Sequence, residues 1–437
     1  MRRREWFVLP TAAMAQTYAQ ATRGQKPLKI TNVRVIVTNP PYAGGAKSFM
    51  QRLVIARVET SEPGLYGLGC ASFVFRPGAV VTFIEKYLKP FVLGRDPDQI
   101  EDLFHSMNAS GLWRGGVVEN YAVGGIDMAL WDIKAKRAGM PVYQLLGGKT
   151  RGAVQCYGDA GGHTGEQMAE SVAKAVSQGF RHVRLNYAAS PVKPTPGVEG
   201  MPLGLALGSP AVIDPDEWAR EIPRIWEHVR KVTDSKIELM QHLHGQLPPI
   251  QTIQMIKQLE PFRPYFFEDP FYPEDVGYLK VLRPQCSVPI ALGEKFVNRN
   301  EYASLITDRL IDFIRIHIPA VGGFTMAYKA AMLGEWFNVR TAWHAPGDLS
   351  PVGHAANGHL DLASPNFGIQ EGAFVSSDEL REVFPGTPVV RDGYLFLNEG
   401  PGFGVDLNES AAAKYPATLE DGNFGPKRFS NGSIVSN

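Results

Sequence analysis

From residue 157 onward, a polar or ionisable side chain closes a short apolar run at nearly regular intervals: Tyr157, Arg184, His242, Glu268, Glu294, His317, His344 and Glu371. His242 to Glu268 and Glu268 to Glu294 are each 26 residues, and the following steps are 23, 27 and 27. That spacing is the length of one strand, one helix and two loops. A chain built this way delivers one functional side chain at the end of each successive strand. It is the layout of a parallel α/β barrel whose chemistry sits at its C-terminal mouth. The one long step, 58 residues from Arg184 to His242, holds the Pro/Gly-rich stretch 186–214. A loop of that length beside the mouth reads either as a lid or as a disordered segment.

The local patterns agree with the spacing. Strands are expected at 153–157, 181–185, 237–241, 264–267, 289–293, 312–316, 339–343 and 367–370, with helices at 166–177, 215–231, 250–259, 299–307, 324–335 and 350–358 between them. That is fewer helices than a plain eightfold barrel requires. Ahead of the barrel, 29–38 and 51–59 read as paired strands, joined by a Gly/Pro-rich connection from Pro40 to Ser48 that suits a flap. Helical spacing follows at 79–92, 98–107 and 117–139, the last with a face of small residues suited to tight packing. The first unit is therefore α+β, strands before helices. After Glu371 the chain becomes polar and Gly/Pro-rich, with short strands expected at 388–397.

At 437 residues the chain exceeds one ordinary domain and fits a large barrel plus a smaller unit. Lys+Arg and Asp+Glu both number 44, so nothing in the charge calls for nucleic acid or an anionic membrane surface. Cys70, Cys156 and Cys286 are dispersed and make neither a disulfide framework nor a thiolate cluster. No apolar run is long enough to span a membrane. Arg2, Arg3 and Arg4 precede a short apolar run and Ala19-Gln-Ala21, the arrangement of a twin-arginine-like export signal with a periplasmic destination. The alternative is a basic N-terminal arm on a cytoplasmic protein.

Six places carry chemistry. Glu268, in FFEDP, and Glu294, in ALGEKF, end adjacent strands and converge at the mouth. Two converging carboxylates repel unless a cation lies between them, and a divalent metal is the natural expectation. His242 and His244, in MQHLH, share one face of an extended chain, as a metal ligand and an acid or base. His344, in TAWHAPGDLSP, has Asp348 four residues on and suits proton transfer, although Asp348 equally suits a helix cap. Arg184 fits a carboxylate or a simple salt bridge, and Glu371 a substrate hydroxyl.

At these residues the chain resembles the enolase superfamily and, within it, the mannonate dehydratase subgroup. The resemblance covers roughly residues 29–405 and is carried by WRGG (113–116), GIDMALWDIKAKRAGMPVYQLLGG (125–148), FFEDP, ALGEKF, AVGGFT (320–325), HAPGDLSP (344–351), PNFGIQE (365–371) and PGFGVDLNE (401–409). It implies an α+β capping domain on a modified (β/α)7β TIM barrel. The expected division is 1–27 export signal and arm, 28–150 capping domain, 151–385 barrel, and 386–437 a segment returning to the capping domain. It also implies one Mg²⁺ that grips a substrate carboxylate, proton abstraction beside it, and loss of a β-hydroxyl.

By position, the resemblance places the metal on His242, Glu268 and Glu294, the departing-hydroxide acid on His244, the arginine of the base dyad on Arg184, and substrate contacts on His344, Asp348 and Glu371. His242 stands where aspartate is expected, which shifts the preference toward Mn²⁺, Fe²⁺ or Zn²⁺. No tyrosine follows Arg184 by about a dozen residues, where Pro196 lies, and Asp159, expected to contact substrate, replaces an expected histidine after the first barrel strand. The expectation is a metal-dependent lyase dehydrating a sugar acid, with proton transfer by His244 and His344, and a homo-oligomer as is common in the subgroup. A racemase, epimerase or other carbohydrate lyase, and a sugar-binding protein without catalysis, remain the alternatives.

Overall fold

The computed structural model describes residues 24–41, 52–189, 212–372, 376–419 and 427–435. Most of the expected export signal and arm, most of the flap, and residues 190–211 of the 186–214 insertion lie outside these residues.

Three strands, β1 (Ile30–Thr38), β2 (Leu53–Thr60) and β3 (Tyr66–Cys70), form an antiparallel meander. The helix Val117–Arg137 packs across it, buried almost throughout its middle. The small residues allow this. A Cβ on Gly69 would fall 1.8 Å from the Gly125 carbonyl oxygen, so only hydrogen fits where strand and helix backbones meet. Helices Pro77–Phe83 and Ile100–Asn108 complete this capping unit.

The barrel strands are β4 (Val154–Gly162), β5 (His182–Tyr187), β7 (Glu238–His242), β8 (Phe267–Glu268), β9 (Ile290–Leu292), β10 (Phe313–Ile314), β11 (Arg340–Thr341) and β12 (Gln370–Glu371); a short β6 (Val212–Ile213) lies outside the ring. They pair in parallel in chain order, and β12 returns to β4. A parallel bridge between Thr341 and Phe367 closes the remaining gap. Helices start on side-chain caps where the sequence supplies them: Thr164 accepts from Gln167 N, Asp214 from Asp216 N and Ser350 from Gly353 N. After β8 the helix shrinks to a 3₁₀ stretch, Pro273–Tyr278, and one α-turn, Leu279–Leu282. That is why regular helices fall short in the sequence.

Tyr157, Met240, Phe266, Ala291, Phe313, Ala342 and Ile369 fill the barrel interior as a separate cluster, each at most 1% exposed. The residues two positions further along most of these strands are Asp159, His242, Glu268, Arg315, His344 and Glu371. Because side chains alternate along a strand, these residues occupy the next interior layer toward the mouth. The apolar cluster is the floor beneath them.

The C-terminal segment goes to two places. A hairpin of β13 (Val389–Arg391) and β14 (Tyr394–Phe396) adds to the start of β4. Residues 398–419 then run along the capping unit, where Glu409 pairs with Arg34 and Arg57, and Tyr66 Oη donates to Asp406 at 2.5 Å. Residues 427–435 instead reach the mouth, where β15 (Arg428–Phe429) pairs with β6.

Candidate active site

Two arginines organise one side of the mouth. Arg184 donates from Nε to Asp159 Oδ1 at 2.7 Å and from Nη1 to Glu268 Oε1 at 2.7 Å, and its Nη2 lies 2.8 Å from Glu371 Oε1. Arg315, wholly buried, reaches Glu268 Oε1 at 3.2 Å, Glu294 Oε2 at 2.8 Å and Glu371 Oε2 at 2.8 Å. The Tyr157 hydroxyl accepts from both arginines, at 3.2 and 3.0 Å, and lies 3.4 Å from Glu268 Oε2, to which it donates. The cation between Glu268 and Glu294 is therefore Arg315. Arg315 offsets the repulsion between these two carboxylates that the sequence assigned to a metal.

The electrostatics follow. Burial opposes ionisation of Glu371, but Arg315 and Arg184 outweigh it and hold the carboxyl at about 2. Ala345 N also donates to it at 2.7 Å. Glu371 is thus committed to protein partners. In Glu268, burial prevails over its two guanidiniums, helped by crowding from Glu371 and Glu294, and lifts it to about 7.

The other side is open. Glu294 does not follow the strand alternation, because β9 ends at Leu292 and Gly293 turns the chain at φ 145°. A Cβ there would press 3.0 Å from the Arg315 backbone, so glycine permits the turn. Glu294 Oε1 meets His244 Nε2 and lies 3.4 Å from Lys295 Nζ. Burial opposes its charge, but His244, Lys295 and His344 hold it well below the usual carboxylate range.

His242 is held in one tautomer. Asn186 donates its amide nitrogen to Asp159 Oδ1 at 2.8 Å, which turns its carbonyl oxygen to His242 Nδ1 at 3.1 Å. A carboxylate only accepts, so the amide orientation is fixed, and His242 Nδ1 must carry the proton. Its Nε2 is left as a bare lone pair, buried and without a hydrogen-bond partner. A backed imidazole with a free Nε2 is the arrangement of a metal-ligating histidine. One ligand atom each from His242, His244 and Glu294 lie within 4.8 Å of one another. The residues present therefore fit a divalent ion. Glu268, expected as a ligand, lies 3.6 Å from His242 Nε2, with Oε1 on Arg184 and Oε2 on Tyr157, and falls outside the group of three.

His242 and His244 meet at 4.6 Å between ring centroids, but not along one extended face. His244 has φ 64° and Gly245 φ 67°, so the chain turns left-handed just past β7 and folds the second ring back. His344 is correctly placed at the mouth, with Nε2 3.5 Å from Glu294 Oε2. Its partner is not Asp348 but His317, at 3.1 Å between the two Nδ1 atoms. Asp348 is buried, and burial raises its carboxyl to about 7. The cap of the following helix is Ser350. Arg315, Asn186 and Lys295 were not singled out from the sequence. For Arg315 the signal was its alternation with Phe313 and His317 in DFIRIHI.

Comparison with known proteins places this geometry. Residues 29–147 match the mandelate racemase / muconate lactonizing enzyme N-terminal domain, and residues 167–411 match the enolase C-terminal domain-like family. The D-galactonate dehydratase family member RspA of Pantoea ananatis is 46% identical over 409 residues, covering 91% of this chain and 95% of that protein. A D-galactonate dehydratase family member of Enterocloster bolteae is 42% identical over 418 residues, covering 93% and 99%. The crystal structure of an enolase from Pantoea ananatis with bound D-gluconate and Mg superposes with a TM-score of 0.87 at 42% identity, covering 94% of this chain and all of that one. These relatives bear the name of the galactonate enzymes, where the sequence motifs had pointed to mannonate dehydratases. No helix among the described residues is long and apolar enough to cross a membrane. On both halves of its length the chain belongs to the enolase superfamily, as a member of the D-galactonate dehydratase family.

Proposed function

We propose that this enzyme dehydrates a sugar acid, using a divalent metal held by His242, His244 and Glu294. The observation that carries the reading is the bare Nε2 of His242, fixed by Asn186, in a residue that has a ligand atom within 4.8 Å of one from His244 and one from Glu294. Two imidazoles and one carboxylate favour Mn²⁺, Fe²⁺ or Zn²⁺ over Mg²⁺. When bound, the metal would hold the substrate carboxylate and stabilise the charge that develops as the α-proton leaves. The family names of the relatives and the D-gluconate in the Pantoea structure support a sugar acid as substrate.

The protein's own groups divide the remaining work. Arg184 and Arg315 fix the carboxylates around the site and exclude water from its wall. His344 is the imidazole left for proton transfer, oriented by His317 and facing the opening. Taking His244 as a ligand removes it from the acid role suggested by resemblance. Turnover of D-mannonate is expected to be poor, by roughly 10²–10⁴-fold for a missing base. The test is a sugar-acid panel headed by D-gluconate and D-galactonate, run in D₂O with each of the four metals. Deuterium at the α-carbon together with dehydrated product supports the reading. Exchange without water loss would make the enzyme a racemase or epimerase, and binding without exchange a sugar-binding protein.

A further inference from the structure

One buried amide reaches from the capping unit to two turns of the barrel mouth. Asn120, 4% exposed, stands in the first turn of the helix Val117–Arg137, where its N donates to Gly116 O at 2.9 Å. Its Nδ2 donates to Val297 O at 2.6 Å and to Ala320 O at 2.9 Å. An amide nitrogen carries two hydrogens, so both are spent, one on each loop. Val297 lies three residues after Glu294, and Ala320 three residues after His317. Each loop turns tightly over that stretch: Phe296 N donates to Gly293 O at 3.0 Å, and Ala320 N to His317 O at 2.9 Å.

The two turns carry the two residues that flank His344. His344 Nδ1 lies 3.1 Å from His317 Nδ1, and its Nε2 lies 3.5 Å from Glu294 Oε2. The imidazole is therefore met at both nitrogens by side chains from successive β/α units, and Asn120 ties those units together at the same remove from each side chain. The helix lies close enough to make the link stiff. A Cβ on Gly124 would fall 2.9 Å from Pro319 O, and the Tyr121 ring packs on His317 at 5.6 Å between centroids. Loss of the amide would leave both carbonyls without this donor, and a carbonyl deprived of its donor inside a protein favours any shift that finds another.

We propose that Asn120 is a positioning residue for His344: from the capping unit it fixes the separation of the turns that bear Glu294 and His317, and so sets the orientation of the imidazole between them. The inference rests on the reading of His344 as the proton-transfer imidazole and deepens it.

The experiment compares the unaltered full chain with Asn120→Leu, which keeps the side-chain volume and removes both donors. Crystal structures of the two should show the Nδ1 atoms of His317 and His344 moved past hydrogen-bonding reach in the variant. Rates on D-gluconate or D-galactonate, at saturating Mn²⁺, should show kcat lowered about 10–100-fold, the scale of a misplaced catalytic group, with KM little changed. Asn120→Ser can donate to only one of the two carbonyls; it should show the same split to a smaller degree, and it decides the matter where Asn120→Leu does not fold. Thr325→Val is the control for docking alone. The Thr325 hydroxyl ties the same helix to the barrel, donating to Asp127 Oδ1 at 2.5 Å and accepting from Trp131 Nε1 at 2.9 Å, but it lies beyond both turns. Its loss should lower stability to urea and leave kcat unchanged. An unmoved His317–His344 pair, a rise in KM with kcat intact, or an equal fall in kcat in Thr325→Val overturns the proposal. If the unaltered protein turns over neither sugar acid, the sugar-acid reading fails on its own, and the two crystal structures still decide whether Asn120 sets the His344 ring.

Discussion

On one side of the barrel mouth, Asp159, Glu268 and Glu371 are each held by Arg184, and Arg315 adds a second guanidinium to the latter two. On the other side, His242 keeps an unused nitrogen. Both sides lie at the mouth of the same barrel. The difference is satisfaction. Where buried charges are paired and bonded, with only Arg315 Nε left without a hydrogen-bond partner, they form a wall. Where an imidazole nitrogen is left with a free lone pair, it marks the surface that a metal would complete. Glu294 joins the two sides, with Oε2 on Arg315 and Oε1 on His244.

The largest effect should come from breaking the satisfied wall. Arg315→Met leaves Glu268, Glu294 and Glu371 buried around an apolar side chain. Removing one partner from a buried charge network typically costs about 3–5 kcal/mol, read here as a shift in urea unfolding. Arg315→Lys should rescue only part of it, because an ammonium cannot span three carboxylates as a planar fork does. A loss below about 1 kcal/mol would mean that the wall is not held by this guanidinium.

Next comes the open side. His242→Ala should weaken Mn²⁺ by more than the ~10–100-fold typical of changes to residues that support a ligand, measured by metal titration, with little loss of stability in the metal-free protein. Glu268→Gln is the counter-test. If it removes the metal as completely as His242→Ala, Glu268 is a ligand after all and the division between the sides moves. A smaller effect is expected one shell out. Asn186→Leu frees the His242 ring to turn and exchange tautomers, and should cost about 10–100-fold in metal affinity while His242 remains. Unchanged affinity would show that Asn186 does not set the tautomer.

The regular spacing made the barrel legible, because each β/α unit has nearly the same length and ends on a residue that interrupts an apolar run. It placed Glu268, Glu294, His344 and Glu371 at the mouth. The same rule hid Arg315. It selects the last polar residue of a strand, His317 in that unit, whereas Arg315 lies one pleat below. Alternation from Phe313 would have found it. The His242–His244 pair was legible as a pair, but its geometry depends on a left-handed residue past the strand end, signalled only by Gly245. The pairing of β15 with β6 was not legible at all, because β15 comes from a distant segment and no local pattern records its partner.

The smallest change tests whether the two sides are separable. Tyr157 is 1% exposed, and its hydroxyl is held by Arg184, Arg315 and Glu268 on the satisfied side alone. Burial, opposed by the two arginines, keeps the phenol protonated far above neutrality, so it remains a donor to Glu268. Tyr157→Phe removes one acceptor from each guanidinium but leaves their carboxylates in place. The aromatic ring still packs edge-on against Phe266. The cost should be about 0.5–1.5 kcal/mol, that of a single hydrogen-bonding group in a network that stays otherwise paired. Mn²⁺ affinity should not change, because no atom of Tyr157 touches His242, His244 or Glu294. If the metal weakens as much as in Asn186→Leu, Arg315 transmits the loss to Glu294, and the wall and the opening are one coupled unit.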